Sequence, residues 1–121
     1  MTAPRARTQF DAVVSELSRQ RGVLGVLVAD AADGITIAST LAVGVDGDAV
    51  AALAASLVQH ARGAARAAGY GDATYFQLQA EHGWLCATGA GAFVIAVVAE
   101  PRANAALLRV ALLRARGELA P

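Results

Sequence analysis

The stretch VLGVLVADAADGITIAS, residues 23–39, joins two apolar runs through a short acidic turn. The first run, Val23–Ala29, is apolar at every position, which is typical of a strand that is buried on both faces of a sheet. The turn suits a hairpin, because Asp hydrogen-bonds to nearby backbone and Gly adopts positive φ. Ile35–Ser39 then returns as the second strand. We therefore expect helices on both faces of a sheet in which the first strand is central.

Helical periodicity on either side of this hairpin supplies the covering layers. Residues 8–20 have apolar side chains at helical spacing, which predicts a first helix with Thr8 as its N-cap. An alanine-rich segment predicts a long second helix from its N-cap, Asp46, to about Ala68. One stripe of this helix is expected to pack on the sheet: Val50, Leu53, Leu57, Ala61, Ala64 and Ala68.

The rest of the chain predicts three more strands and a final helix. The strands are expected at Ala73–Ala80, Trp84–Thr88 and Ala92–Ala99, and the helix opens at Glu100 or Pro101. The order is α-β-β-α-β-β-β-α, and tight turns make neighbouring strands antiparallel. The expected fold is α+β, with the long helix on one face of the sheet and the two terminal helices on the other.

Composition limits the classes of function. A chain of 121 residues fits one domain, which we place at residues 9–120 after a flexible N-terminus of residues 1–8. The formal net charge is zero, so the dense basic face that nucleic acid requires is not expected. Neither a signal peptide nor a membrane-spanning run is apparent. One cysteine, Cys86, forms no internal disulfide, and a reducing, cytoplasmic setting is the simplest expectation.

The long helix carries a second feature, a face of small residues. Ala52, Ser56, Gln59 and Gly63 recur at spacings of four, three and four, which would let another backbone come close. The apolar fraction of 56% exceeds the usual 45–50%, and this excess favours burial against a partner. We interpret the face as an interhelical contact; the alternative is a solvent-facing surface built from alanines.

Residues with catalytic potential do not form a recognisable constellation. Gly89-Ala90-Gly91 precedes a strand and lacks a phosphate-loop ending, so a hairpin turn explains it better. His60 and His82 have no second ligand at metal spacing, and Cys86 within a strand is interpreted as a packing residue. We expect neither an enzyme nor a metal or other cofactor.

Three residues are candidates for partner binding. Arg62 and Arg66 lie one helical turn apart, so they form either a solvated helix end or a contact to an acidic partner surface. Trp84 lies in a hairpin strand, where it serves either as core beneath a helix or as a binding hot spot. The sequence leaves both pairs of alternatives open.

Three segments together resemble the roadblock/LC7 family, and most closely its bacterial MglB-like members. They are GVLGVLVADAADGITIAS, GVDGDAVAALAASLVQHA and GDATYFQLQAEHGWLCATGAGAFVIAVVAEPRANAALLRVAL. The features that carry the resemblance are the Asp-x-x-Asp-Gly turn before an IAS strand, the long helix with its small residues, and the AVVAEPRANAALLR segment that joins the last strand to the last helix. The resemblance implies a profilin-like, five-stranded antiparallel sheet between the long helix and the two terminal helices.

The resemblance also implies a homodimer in which the long helices pack together and the third strands pair. The implied interface residues are Ala52, Ala55, Ser56, Gln59, Gly63, Thr74, Tyr75, Phe76 and Gln77. Relatives of this kind bind Ras-like, MglA-like small GTPases, some as GTPase-activating proteins, or serve as scaffolds. The expected function is a non-catalytic GTPase regulator. The alternative is a scaffold module that assembles with other roadblock or sensor proteins without a GTPase; a small-ligand sensor ranks last.

Overall fold

The computed structural model describes the backbone of residues 4–119 and the side chains of residues 9–119. Three helices and five strands are present in the described residues, in the order that the sequence predicts. The helices are α1 (Pro4–Ser18), α2 (Gly47–Ala67) and α3 (Ala105–Leu119). The strands are β1 (Val23–Asp30), β2 (Thr36–Leu41), β3 (Phe76–Ala80), β4 (Gly83–Ala90) and β5 (Phe93–Ala99).

The five strands form one antiparallel sheet in the order β2-β1-β5-β4-β3. β5 lies at the centre with β1 beside it, which confirms that the two strands apolar at every position are interior. Their pairing sets Val26 opposite Val97 and Val28 opposite Ile95. β2 and β3 are the edge strands, and each is paired on one side only.

The sheet separates two apolar clusters, as expected for strands that bury both faces. Alternate residues of β1 point to opposite sides: Val26 and Val28 pack with α1 and α3, whereas Leu27 and Ala29 pack beneath α2. The α1–α3 side contains the larger side chains, including an edge-on contact between Phe10 and Phe93. The α2 side is lined mostly by alanine and valine, so this helix lies close to the sheet.

Several predicted boundaries were wrong. α1 begins at Pro4, a residue type favoured in the first turn, so Thr8 lies within the helix and does not cap it. The segment 4–8, predicted to precede the helix, belongs to it. α3 begins after Asn104, whose side-chain oxygen accepts from the backbone N–H of Leu107 at 3.0 Å. Asp46 does cap α2, accepting from the Ala49 N–H at 3.1 Å.

The predicted sheet-facing stripe of α2 was only partly right, since Val50 and Leu57 pack against the sheet-side cluster without forming its buried centre. The residues that pack on the sheet are Ala51, Ala54, Ala55 and Val58. Of the predicted stripe, Leu53, Ala64 and Ala68 are exposed, while Val50, Leu57 and Ala61 are half-buried. The smaller side chains face the sheet because they allow the helix axis to come closer, and the leucines are rotated onto its flank.

Candidate partner-binding surfaces

One flank of α2 lies against the turn between β1 and β2. A Cβ on Gly34, whose φ is +70°, would be 3.3 Å from the Ala52 Cα, so the turn and the helix touch here. The Gln59 amide Nε2 donates to the carbonyl oxygens of Ala31 and Ala32. We call this side the hairpin flank and define it as Ala52, Ser56, Gln59 and Gly63. Its contacts with the turn hold α2 to the β2 side of the sheet.

The Asp30 carboxylate keeps that turn in shape. Its Oδ1 accepts from the N–H groups of Ala32, at 2.8 Å, and Asp33, at 3.0 Å, as the sequence indicated for this aspartate. The Gly34 N–H closes the turn by donating to the Asp30 carbonyl at 2.8 Å. These hydrogen bonds fix the shape of the turn, and its Ala31 and Ala32 carbonyls already accept hydrogen bonds from Gln59.

The opposite flank of α2 borders an open apolar groove of about 380 Å³. Val50 and Leu53 form its helix side. We call Val50, Leu53, Leu57 and Ala61 the groove flank, because helical spacing places all four on that side of α2. The sheet supplies Leu24, Leu78, Leu85 and Val98 as the opposite wall and floor. Leu53 and Leu78 are exposed across this groove, so leucine side chains line both of its edges.

The groove runs to the free edge of the sheet. β3 pairs with β4 alone, with Leu78 opposite Leu85, and its outer backbone edge is unpaired. Four of its five residues are exposed. An unpaired edge beside an exposed apolar surface is a site where another chain is expected to add. Groove and edge together therefore form one continuous candidate interface.

The residues of the implied dimer interface fall on different surfaces. Ala55 is buried beneath α2, and the other α2 residues of the set form the hairpin flank, away from β3. Phe76 and Gln77 begin the edge strand. Thr74 and Tyr75 precede it: the Thr74 carbonyl accepts from the buried Thr88 hydroxyl, and the Tyr75 ring lies 5.5 Å from the Arg109 guanidinium. The helix and strand parts of the set thus lie on opposite sides of the α2 axis.

The two candidate arginines of α2 have different environments. Arg62 is largely covered, with 20% of its side chain exposed, and its Nε lies 3.4 Å from the Asp72 carboxylate. Its guanidinium rests on Gly89, in space that any side chain there would occupy. Arg66 is 67% exposed and lies 3.7 Å from the same carboxylate. Arg66 is therefore the one of the pair that can reach a partner.

A third arginine, Arg116, was not singled out in the sequence analysis and contacts Gly89 from α3. The Arg116 Nε donates to the Gly89 carbonyl at 2.7 Å. Gly89 is thus held between Arg62 of α2 and Arg116 of α3. A glycine inside a strand is the sequence signal that could have indicated such a close approach.

Trp84 belongs to the core. Its side chain is buried in the cluster between the sheet and the terminal helices, together with Leu108 and Leu112. Of the two alternatives for this residue, packing beneath a helix is the one observed. Its exposed fraction of 5% leaves little aromatic surface for direct contact with a partner.

Cys86 is buried in β4, and half-buried Tyr75 lies beside it. Burial raises the pKa of the Cys86 thiol from 9.0 to about 11. Burial also raises the pKa of the Tyr75 phenol to about 12, and the neighbouring Cys86 adds to that shift. The thiol is therefore protonated at neutral pH, which supports a packing role over a nucleophilic one.

Alkaline pH should destabilise the protein through Cys86. The unfolded thiol ionises near pH 9 and the folded one near pH 11, so the unfolded state loses its proton first and stability falls across that window. We expect a loss of roughly 1 kcal/mol from this group between pH 8 and pH 10. Urea titrations of wild type and Cys86→Ala at both pH values test this. An equal alkaline loss in both proteins would contradict the assignment.

No cluster of three or more His, Cys, Asp or Glu side chains with metal-binding geometry occurs in the part of the chain that the structure describes. None of its helices combines the length and apolar character needed to cross a membrane.

The Roadblock/LC7 domain family matches residues 9–100, and the chain belongs to this family. The uncharacterized protein MJ0310 of Methanocaldococcus jannaschii is 30% identical over 110 residues, which cover 91% of this chain and 96% of that protein.

Solved structures show the same fold. Myxococcus xanthus MglB superposes with a TM-score of 0.84 at 23% identity, covering 98% of this chain and 90% of that one. A Roadblock/LC7 domain from Streptomyces avermitilis superposes with a TM-score of 0.78 at 25% identity, covering 90% and 92%. The likeness to MglB is one of fold, and it confirms the five-stranded sheet between one helix and two.

Proposed function

We propose that the protein is a non-catalytic homodimer that binds a Ras-like, MglA-like small GTPase and modulates its nucleotide state. The observation that carries the dimer is the apolar groove beside α2, which is continuous with the unpaired edge of β3. A second copy related by a two-fold axis would extend the sheet through β3 and cover the groove with its own α2. Membership of the family supports this arrangement.

The proposed contact surface on α2 differs from the one inferred from small-residue spacing. The groove flank faces β3, so it is the side that a partner paired along β3 would meet. The hairpin flank faces the other way and is partly engaged by the subunit's own turn. In the proposed dimer the hairpin flank remains available on the outer surface.

We assign GTPase binding to this outer surface of α2. It includes the exposed residues Ser56, His60 and Gly63, and Arg66 lies at its C-terminal end. Small side chains allow close approach of a partner, and Arg66 adds one accessible cation suited to a carboxylate or phosphate. The protein would act by holding switch segments of the GTPase, without donating a catalytic group.

Nucleotide-dependent binding tests the proposal. Each Ras-like small GTPase of the source organism, loaded with GDP or a non-hydrolysable GTP analogue, is titrated with the purified protein by calorimetry. We expect one GTPase to bind the two nucleotide states with different affinities. Arg66→Glu should weaken that complex by about tenfold or more, and Arg19→Glu, a charge reversal at the exposed residue that follows α1, should not.

The rate of GTP hydrolysis and the nucleotide dependence of binding then distinguish a GTPase regulator from a scaffold module. Faster hydrolysis in the presence of the protein would identify a GTPase-activating role. Binding that does not depend on nucleotide, or no binding to any such GTPase, would contradict the proposal. That result would favour the alternative function, a scaffold module that assembles with other roadblock or sensor proteins.

A further inference from the structure

Charge is distributed unevenly between the two sides of this neutral protein. Eight of its ten arginines lie in residues 1–22 and 100–121, which contain α1 and α3, together with only four of its ten acidic residues. The central segment, residues 23–99, has the remaining two arginines and six acidic residues. The sheet therefore separates a basic helix pair from an acidic side that carries α2.

A cleft of about 440 Å³ opens on the basic side, between the end of α1 and the start of α3. Exposed Arg21 and Arg102 line it, with Glu100 as the one acidic residue of the lining. Leu107 also lines the cleft and is 63% exposed. Val110, one turn further along α3, is 55% exposed. The cleft thus combines an unpartnered apolar patch with an excess of positive charge.

The acidic side presents a surface with complementary features. Val43 is fully exposed in the loop that leads into α2. Its neighbour Gly44 has a φ of +93°, and a Cβ built there would meet no atom within 4 Å, so the loop projects into solvent. Exposed Asp46 and Asp48 follow directly. We call residues 42–48, which include the first two residues of α2, the acidic loop.

We propose that the basic cleft between α1 and α3 binds the acidic loop of a second copy of this chain, so that copies associate head to tail. Val43 would pack against Leu107 and Val110, and Asp48 would face Arg21 and Arg102. The acidic loop lies at the same end of the sheet as the cleft, since the Ala42 N–H donates to the Leu24 carbonyl, but it leads into α2 on the face opposite α1 and α3. None of residues 42–48 lines the cleft, so the subunit's own loop does not fill it and leaves it open to the loop of another molecule.

This contact goes beyond the proposed function and uses a different surface. It does not involve β3, the groove flank or the outer surface of α2. A head-to-tail contact between cleft and loop is heterologous; it links dimers into larger assemblies or, if no dimer forms, links monomers. Because Asp48, Arg21 and Arg102 would meet in this contact, the association should be sensitive to ionic strength.

Sedimentation velocity at low and high salt tests the inference. At 50 mM NaCl we expect the wild type to form species larger than those present at 500 mM, increasingly so at higher protein concentration. Arg102→Glu and Asp48→Arg should each weaken this association by about tenfold or more, because each sets like charges opposite one another. Mixing the two variants should restore it, since each supplies the intact partner of the other's reversed charge. Ile35→Ser, which removes an exposed apolar side chain on the β2 edge, is the matched control and should associate as the wild type does.

The inference is wrong if the wild type shows no such association at low salt, or if mixing the two charge variants fails to restore it. Failure of the dimer proposal would appear separately, as monomers at high salt. Salt-dependent growth of those monomers, reversed by Asp48→Arg, would still support the head-to-tail contact.

Discussion

Leu53→Arg should convert the protein from a dimer to a monomer while leaving its fold intact. Leu53 is exposed on the groove flank, opposite Leu78 across the open groove, so a longer charged side chain is accommodated in the single subunit. In the dimer the same guanidinium would be buried against apolar surface without a partner, at a cost of several kcal/mol. Light scattering should show the mass falling to the 12.2 kDa of one chain. Circular dichroism and the thermal transition of the monomer would establish that it is folded.

Gly63→Arg is the matched variant on the other flank. A Cβ at Gly63 meets no atom within 4 Å, so the substitution adds the same charge to the same helix without a clash. We expect this variant to remain a dimer, whereas the small-residue face inferred from sequence would require it to dissociate. A monomeric Gly63→Arg beside a dimeric Leu53→Arg would show that the hairpin flank forms the interface and that our assignment of the groove is wrong.

Trp84→Ala should reduce the free energy of unfolding by about 3–5 kcal/mol. Trp84 is buried between the sheet and the terminal helices, so truncation removes a large apolar side chain and leaves a cavity. A loss of that size is a large fraction of the roughly 5–15 kcal/mol typical of a domain. Urea denaturation of wild type, Trp84→Ala and the more conservative Trp84→Phe measures the effect.

The same variants separate the structural role of Trp84 from a binding role. Trp84→Phe keeps an aromatic ring in the core and should lose much less stability. At temperatures where Trp84→Ala remains folded, its affinity for the GTPase should match that of wild type. A nearly unchanged unfolding free energy together with lost GTPase binding would contradict burial and restore the hot-spot interpretation.

The parts of the fold that local sequence determines were predicted well. The strand at residues 23–29 is apolar throughout because both of its faces are covered, and the Asp30 turn depends on hydrogen bonds within five residues. Element order and the covering of both sheet faces by helices followed from such local patterns. Boundaries were less accurate, since α1 begins at Pro4 and α3 follows Asn104, whereas the sequence analysis expected Thr8 as the first cap and Glu100 or Pro101 as the start of the last helix.

The surfaces of α2 could not be predicted in the same way. In an alanine-rich helix apolar residues occur on several sides, so periodicity alone does not decide which side meets the sheet. The helix buries Ala51, Ala54 and Val58 because they permit close approach, and this choice depends on strands distant in sequence. Likewise, Arg62 is covered because Gly89, 27 positions further on, leaves room for it. Both outcomes are set by tertiary packing.

A distance between two copies tests the central claim most directly. Gln79 is exposed on β3, and a spin label can be attached there through Gln79→Cys in a Cys86→Ala background. Paired strands lie about 4.8 Å apart, so with the label linkers we predict an interspin distance below about 25 Å in pulsed dipolar spectroscopy. Loss of that short distance when Leu53→Arg is added would confirm that it arises from the groove-and-edge dimer. If the labelled protein without Leu53→Arg shows no interspin coupling, or a distance much longer than this, the account is contradicted.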